Sequence, residues 1–79
     1  MRKITALQPD KDFIQLVKFD NNTQKAFDLK PYLHLPVFSV LKDVKLYQHV
    51  ENRGYYIEWP ALEIDLSADT LWHEGKLSY

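Results

Sequence analysis

The stretch YYIEWPALEIDLSADTLWHEGK, residues 55–76, decides the fold because it combines a strand, a stop and a capped helix. Residues 55–59 predict a strand that ends at Pro60, since proline has no backbone N–H to donate to a sheet. Ser67 is a favourable N-cap for a helix over residues 68–74, and Gly75 suits the end of that helix. The stretch therefore predicts structure rather than a catalytic site.

The residues before this stretch predict its hairpin partner. LYQHVE, residues 46–51, has the composition of a strand, and Asn52-Arg53-Gly54 separates it from the strand over residues 55–59. Gly54 stands where a three-residue hairpin loop needs a left-handed residue. The predicted register places Tyr47 opposite Trp59 and His49 opposite Ile57 on the face that forms the core.

The same register places two further pairs on the opposite face of the hairpin. Val50 lies opposite Tyr56, and Gln48 lies opposite Glu58. If the helices cover only the core face, Val50 and Tyr56 form a small apolar and aromatic patch in water, which is typical of a modest contact surface. An exposed pair without a role, or a pair under the N-terminal strand, is the simpler alternative. We predict Val50 and Tyr56 as partner-binding residues.

Three strands are predicted in the N-terminal half, over residues 3–7, 13–19 and 24–29. The second is apolar on both faces except at Gln15 and Lys18, as in a central strand. Asparagine tolerates a positive φ, so Asn21 and Asn22 suit the turn between the second and third strands, with the register left open.

Pro36 suits the first turn of a helix over residues 37–43, whose Phe38 and Leu41 lie three positions apart. Val37 adds to the same side, so this face can lie on the sheet. Together the patterns predict an α+β fold: a small, mainly antiparallel sheet of about five strands with two short helices on one face.

Composition restricts the possible classes of protein. The 79 residues predict a single domain, residues 1–79, with 46% hydrophobic residues and a formal charge of -1. Cysteine is absent, which favours a reducing cytoplasmic location, and basic residues are scattered rather than clustered. No stretch has the length of a membrane span or of a signal peptide. We expect neither membrane binding nor nonspecific nucleic-acid binding.

Chemical motifs are weak throughout the chain. His34, His49 and His73 lack the spacing that places two ligands on one helix face, and two glycines cannot form a phosphate-binding loop. We therefore expect no metal, no cofactor and no catalytic residue. The nearest approach to a general acid and base pair is the cluster of Glu58, Glu63 and Asp65, for which structural roles are the stronger interpretation.

The sequence resembles the bacterial domain of unknown function family 2442. The resemblance covers nearly the whole chain, and its most specific part is the ending: Ile57-Glu58-Trp59, then Asp65-Leu66-Ser67, then Leu71-Trp72 with Gly75. Weaker blocks are FDNN, FDL, VFSVLKD and LYQHV. This sequence departs from the family pattern at Asn22, where members usually carry glycine, and at Gln15, where they usually carry an apolar residue. The resemblance implies a small α+β fold, no assigned enzymatic activity, and frequent encoding beside another small protein in apparent toxin–antitoxin pairs.

These observations predict a non-enzymatic protein-binding module, the antitoxin-like or regulatory member of a two-protein bacterial operon. The expected partner is another small protein encoded next to it, and self-association is open. One alternative is a nucleic-acid-contacting regulator, since five tyrosines suit base stacking, although no ribonucleoprotein motif or basic stripe accompanies them. An enzyme with carboxylate chemistry around Asp65 ranks last.

Overall fold

The computed structural model describes residues 2–77, so the predicted domain of residues 1–79 extends beyond the described residues at both ends. The described elements are β1 (Ile4–Asp10), β2 (Ile14–Phe19), β3 (Gln24–Asp28), α1 (Val44–Gln48), β4 (Glu51–Asn52), β5 (Tyr56–Trp59), β6 (Ile64–Ser67), α2 (Ala68–Glu74) and β7 (Lys76–Leu77). Short 3-10 turns lie at Lys11–Phe13, Lys30–Tyr32, Ser39–Lys42 and Pro60–Leu62.

The strands pair in two antiparallel sheets, with the orders β1-β2-β3-β7 and β4-β5-β6. The α+β class and the antiparallel pairing are confirmed. The strands are nevertheless divided between two sheets, because β6 pairs with the second edge of β5 while β7 extends the other sheet at β3. Neither β6 nor β7 was predicted. The sheets meet where the Ile4 N–H donates to the Gly54 carbonyl at 2.6 Å.

The turn between β2 and β3 confirms the prediction for the asparagines. Lys18 pairs with Gln24, and the Phe19 N–H donates to the Thr23 carbonyl at 2.9 Å. Asn22 takes a φ of 67°, in the left-handed region that asparagine tolerates better than most residues. The loop is therefore three residues long rather than two.

The predicted strand over residues 46–51 is wrong, because α1 occupies its first three residues. A carboxylate oxygen of Asp43 accepts a hydrogen bond from the Lys45 N–H at 3.0 Å. This N-cap satisfies a backbone donor at the start of a helix and favours the helical turn over an extended chain. The chain becomes extended only at Glu51, where β4 begins.

The register of the second hairpin shifts accordingly. Glu51 pairs with Glu58 and Asn52 with Ile57, so the four predicted facing pairs, Tyr47–Trp59, His49–Ile57, Val50–Tyr56 and Gln48–Glu58, are wrong as strand neighbours. The prediction for Gly54 is confirmed, since it has a φ of 88°. Only glycine takes that conformation without steric cost.

The predicted helix over residues 37–43 is confirmed only as a short 3-10 turn within that range. The segment turns back on itself through hydrogen bonds from Phe38 and Ser39 to the Leu35 carbonyl, and then forms the 3-10 turn Ser39–Lys42. Leu41 is buried as predicted, whereas Val37 is 63% exposed and does not lie on the sheet.

The core lies between the two sheets and is closed by both helices. Its largest members come from every part of the fold: Phe19 and Phe27 from the first sheet, Tyr47 from α1, Ile57 and Trp59 from β5. The predicted burial of Tyr47, Ile57 and Trp59 is confirmed, whereas His49, predicted on the same face, is exposed. Burial of these side chains supplies most of the drive to fold, at about 25 cal/mol for each Å² of apolar surface removed from water.

The capped helix that ends the opening stretch is confirmed. The Ser67 hydroxyl accepts a hydrogen bond from the Thr70 N–H at 3.1 Å, and the helix stops at Glu74. Gly75 follows the helix at a φ of -76°, so the position requires glycine for lack of space and not for a left-handed conformation. A Cβ at Gly75 would lie 2.5 Å from the Leu71 carbonyl oxygen and 3.1 Å from Lys25 Cβ, so a side chain there would push α2 away from β3.

Candidate functional site

Val50 and Tyr56, the predicted partner-binding residues, lie on different surfaces. Val50 follows α1, is partly buried and packs against the core. Tyr56 is 40% exposed and pairs with Ser67 on the face of the second sheet that points away from the core. The structure therefore does not form the predicted patch between them, and a role for each residue stays a prediction.

Val50 lines a groove between α1 and the 3-10 turn Pro60–Leu62. Two adjoining depressions share His49 and Ala61 and form one surface, the α1 groove, lined by Lys45, Leu46, His49, Val50, Glu51, Trp59, Pro60, Ala61 and Leu62. Most of these side chains are apolar, while Lys45, His49 and Glu51 add polar groups. Sites that bind ligand or partner side chains commonly combine an apolar lining with a few placed polar groups.

Local sequence signals build both walls of the groove. The Asp43 cap starts α1, which places Lys45, Leu46 and His49 along one wall. On the other wall Pro60 begins the 3-10 turn, where its fixed φ suits the first helical position. Glu63 then takes a φ of 54° and returns the chain into β6.

The Trp59 side chain at the base of the groove is held by burial and by one hydrogen bond. The side chain is 1% exposed, and its indole Nε1 donates to the Tyr47 carbonyl at 2.8 Å. The Tyr47 hydroxyl in turn donates to the Ile14 carbonyl at 2.6 Å. Burial raises the pKa of Tyr47, and the nearby carboxylates of Asp10 and Asp28 raise it further. The base of the groove is therefore a rigid, neutral surface.

Three carboxylates lie side by side on the outer face of the second sheet. Glu58 pairs with Glu51 on one side and with Asp65 on the other, so these residues form a row across β4, β5 and β6. Arg53 joins two of them, through Nε to Glu58 at 2.9 Å and Nη2 to Glu51 at 3.2 Å. The hydrogen bond that Arg53 donates to Glu58 and the negative charge of Glu51 raise the pKa of Arg53.

Of the predicted carboxylate cluster, Glu58, Glu63 and Asp65, the structure brings only two members together. Glu58 and Asp65 are direct neighbours, whereas Glu63 lies in the turn that precedes β6. Glu58 is held by Arg53, and Asp65 is exposed, so the pair is arranged as a solvated surface network. The expectation that the protein is not an enzyme stays a prediction.

Residues 2–77 contain neither a metal-binding cluster nor a membrane-spanning helix. No group of three His, Asp or Glu side chains in this part of the chain gathers in a way that could hold a metal ion. No helix within the same residues combines the length and the hydropathy needed to cross a bilayer.

Sequence reasoning missed the groove because it expected a strand where α1 lies. One signal was present: Asp43 precedes apolar residues at positions 44, 46, 47 and 50, a spacing that suits a capped helix as well as a strand. Sequence reasoning also missed the exposure of a run of aliphatic side chains between 38% and 63% exposed, namely Leu35, Val37, Val40 and Val44.

The fold and the groove define a class of protein, a small α+β domain with two antiparallel sheets and a partly apolar surface groove. The chain belongs to the family described as Protein of unknown function (DUF2442), whose model matches residues 4–76. No curated protein and no solved structure matches the chain.

Proposed function

We propose that the protein is a non-enzymatic protein-binding module, the antitoxin-like or regulatory member of a two-protein bacterial operon, and that it acts in the cytoplasm. The observation that supports this most is the α1 groove. Its base is fixed by the hydrogen bond between Trp59 and Tyr47, and its rim carries His49 and Ala61 at the surface. A rigid groove loses little conformational entropy when a partner binds.

The lining of the groove favours binding over catalysis. Leu46, Val50 and Leu62 can surround an apolar side chain, which is how the central anchor of a protein interface is held. Lys45 and Glu51 stand at the edges of the groove, where opposite charges can orient a partner.

The groove also leads to Tyr56. Glu51 lines the groove and pairs with Glu58, and Tyr56 lies two residues before Glu58 on the same face of β5. That step along a strand is about 7 Å. A partner seated in the groove can therefore extend across the outer face of the second sheet and contact the phenol of Tyr56.

The proposal is tested with the product of the neighbouring reading frame. The two proteins are co-expressed, one of them tagged, and capture is compared between the parent and Ala61→Arg, which fills the groove. Ala61 is exposed, so this variant is expected to fold. Ala6→Arg is the matched control, because Ala6 is also exposed and lies on the first sheet.

We expect the parent and Ala6→Arg to capture the partner and Ala61→Arg to lose at least tenfold in affinity. Equal capture by all three would contradict the role of the groove. Binding to immobilised DNA that weakens steeply with salt, with no capture of the neighbour, would favour the alternative of a nucleic-acid-contacting regulator.

A further inference from the structure

The outer edge of β6 is open. β6 pairs with β5 and ends the second sheet on that side. No other strand within the described part of the chain pairs with it. The opposite edge of the same sheet is covered, because the Ile4 N–H donates to the Gly54 carbonyl and Asn52 Nδ2 donates to the Ile4 carbonyl. An uncovered edge strand offers its backbone groups to another chain.

The register of the second sheet shows which backbone groups of β6 face outward. The Ala68 N–H donates to the Tyr55 carbonyl at 2.8 Å, so the backbone groups of Ala68 face β5. Because the bonds of an antiparallel ladder alternate along each strand, Leu66 also bonds to β5. The Asp65 N–H and carbonyl and the Ser67 N–H therefore point away from β5. No hydrogen bond outside the ladders joins these groups to the described residues.

The open edge of β6 is acidic. Asp65 lies exposed beside Glu58 at the end of the carboxylate row, and Glu63 is exposed just before β6. Arg53 binds Glu58 and Glu51, whereas no basic nitrogen in the described part of the chain lies within ion-pair distance of Asp65. A basic side chain on an added strand, opposite Asp65, supplies the missing opposite charge.

The core-facing side of β6 has an apolar side chain that is partly uncovered. Ile64 is 7% exposed, whereas Leu66 packs against the core and is still partly exposed. Side chains alternate along a strand, so the two residues that flank the basic one on an added strand lie beside Ile64 and Leu66. Apolar, β-branched residues suit those positions because they cover Leu66 and extend the core. The edge therefore fits a segment with the order apolar, basic, apolar.

The same charges act against a second copy of this chain at the β6 edge. Antiparallel pairing of β6 with itself places Asp65 opposite the Asp65, the Glu63 or the Ser67 of the other copy, according to the register. Like charges directly opposite each other are destabilising, so the first two registers are unfavourable. In the third register each Asp65 faces a serine and still lacks a cation. The edge therefore favours a basic partner over its own copy.

We propose that β6 binds an extended segment of a partner protein, which adds to the three-stranded sheet antiparallel to β6 and carries a lysine or arginine opposite Asp65 between two apolar residues. Strand addition takes its affinity from backbone hydrogen bonds and its specificity from alternate side chains. This surface is distinct from the α1 groove, whose walls are residues 45–51 and 59–62. The inference therefore goes beyond the proposed role of the groove.

The test uses a β-hairpin peptide, closed by a disulfide, whose free strand reads Thr-Val-Lys-Val-Thr and places its lysine opposite Asp65. Closure holds the strand extended and lowers the entropy lost on binding. NMR of the isotope-labelled protein gives the Kd and the exchange rates of single amide hydrogens. At a free peptide concentration of about four times the Kd, the Asp65 and Ser67 N–H groups should exchange about fivefold more slowly, because only the unbound fraction exchanges. The Leu66 N–H, already bonded to β5, is the internal control and should not change.

A charge reversal decides whether the occupant is basic. A second hairpin carries glutamate in place of lysine, and Asp65→Lys reverses the charge on the protein. The parent should bind the lysine peptide about fivefold more tightly than the glutamate peptide, and Asp65→Lys should reverse that order. Asp20→Lys, at an exposed position in the turn after β2, is the matched control and should keep the order of the parent.

Asp65→Pro tests the backbone contribution, because it removes an outward N–H at an edge position where proline is tolerated. This variant should lose the binding of both peptides while circular dichroism shows a folded chain, and if it fails to fold, the Asp65→Lys arm still decides. No slowing at Asp65 and Ser67 with about 10 mM peptide, or equal affinities of the parent for the two peptides, would overturn the proposal. Slow exchange of both groups in concentrated protein without peptide would also overturn it, since β6 would then pair with its own copy. The neighbouring gene product is not used, so these results are independent of the capture experiment.

Discussion

Trp59 and Tyr47 are joined in the core by a hydrogen bond from the indole Nε1 to the backbone oxygen of Tyr47, 2.8 Å long. Because the Tyr47 hydroxyl donates to the Ile14 carbonyl, the pair connects β5, α1 and β2, and therefore both sheets. The same contact holds the base of the α1 groove in place, so the stability of the fold and the shape of the groove depend on the same side chains.

Trp59→Ala should lower the free energy of unfolding by about 3 to 5 kcal/mol, because it empties a large buried volume and removes this hydrogen bond. A chain of this length has roughly 4 to 12 kcal/mol in total, so the variant should be largely unfolded or close to it. Urea unfolding followed by circular dichroism measures the change. Tyr55→Ala, at a half-exposed position, is the matched aromatic control and should change little. Equal midpoints for both variants would contradict the structural role of Trp59.

Gln15→Met should stabilise the protein by about 1 to 3 kcal/mol. Gln15 is 0% exposed, and neither its amide nitrogen nor its amide oxygen has a hydrogen-bond partner among the described residues. Burying an unpaired polar group costs about this much, and methionine has a similar length without that cost. Gln8→Met, at an exposed position on β1, should change the stability by less than about 0.5 kcal/mol. A loss of stability in Gln15→Met would show that the amide is satisfied in solution.

Stability should fall as the pH rises above about 10, the ordinary pKa of tyrosine. Burial raises the pKa of Tyr47 in the folded protein, so the unfolded chain releases this proton first and gains stability from doing so. The loss approaches about 1.4 kcal/mol per pH unit for one proton. Tyr47→Phe removes this pH-dependent contribution to stability, although it also loses the hydrogen bond to the Ile14 carbonyl. The difference in free energy of unfolding between the parent and Tyr47→Phe should therefore narrow from pH 9 to pH 11, as measured by urea unfolding. A constant difference would contradict this role of the Tyr47 proton.

Local signals in the sequence predicted the parts of the fold that depend on single residues. The Ser67 cap, the positive φ of Asn22 and that of Gly54 follow from backbone preferences that operate over four residues or fewer. Long strands with a clear pattern, above all β2, were predicted for a similar reason.

Elements that depend on tertiary partners were not predicted. β6 and β7 are short edge strands whose pairing is set by β5 and β3 rather than by their own pattern. The apolar pattern of residues 46–51 suits the period of a helix as well as that of a strand. The Asp43 cap favours the helix. The α1 groove follows from that choice, because its two walls, residues 45–51 and 59–62, enclose a groove only once α1 has formed.

Tyr56→Ala should leave the stability nearly unchanged, since the ring is 40% exposed on the outer face of β5. If the partner extends from the groove across that face, the variant should lose about 1 kcal/mol or more of binding free energy for the neighbouring gene product, as expected of an aromatic contact. Titration calorimetry measures the binding, and Tyr55→Ala serves again as the control. Full affinity in a folded Tyr56→Ala protein would remove Tyr56 from the interface.

The most direct test of the central claim maps the partner onto this protein by NMR. Backbone amide signals of the isotope-labelled chain are followed while the unlabelled product of the neighbouring reading frame is added. The largest changes are expected at the two walls of the α1 groove, at His49, Val50, Ala61 and Leu62, with smaller ones toward Tyr56. Changes confined to other surfaces, or no change at partner concentrations that saturate capture, would contradict the account.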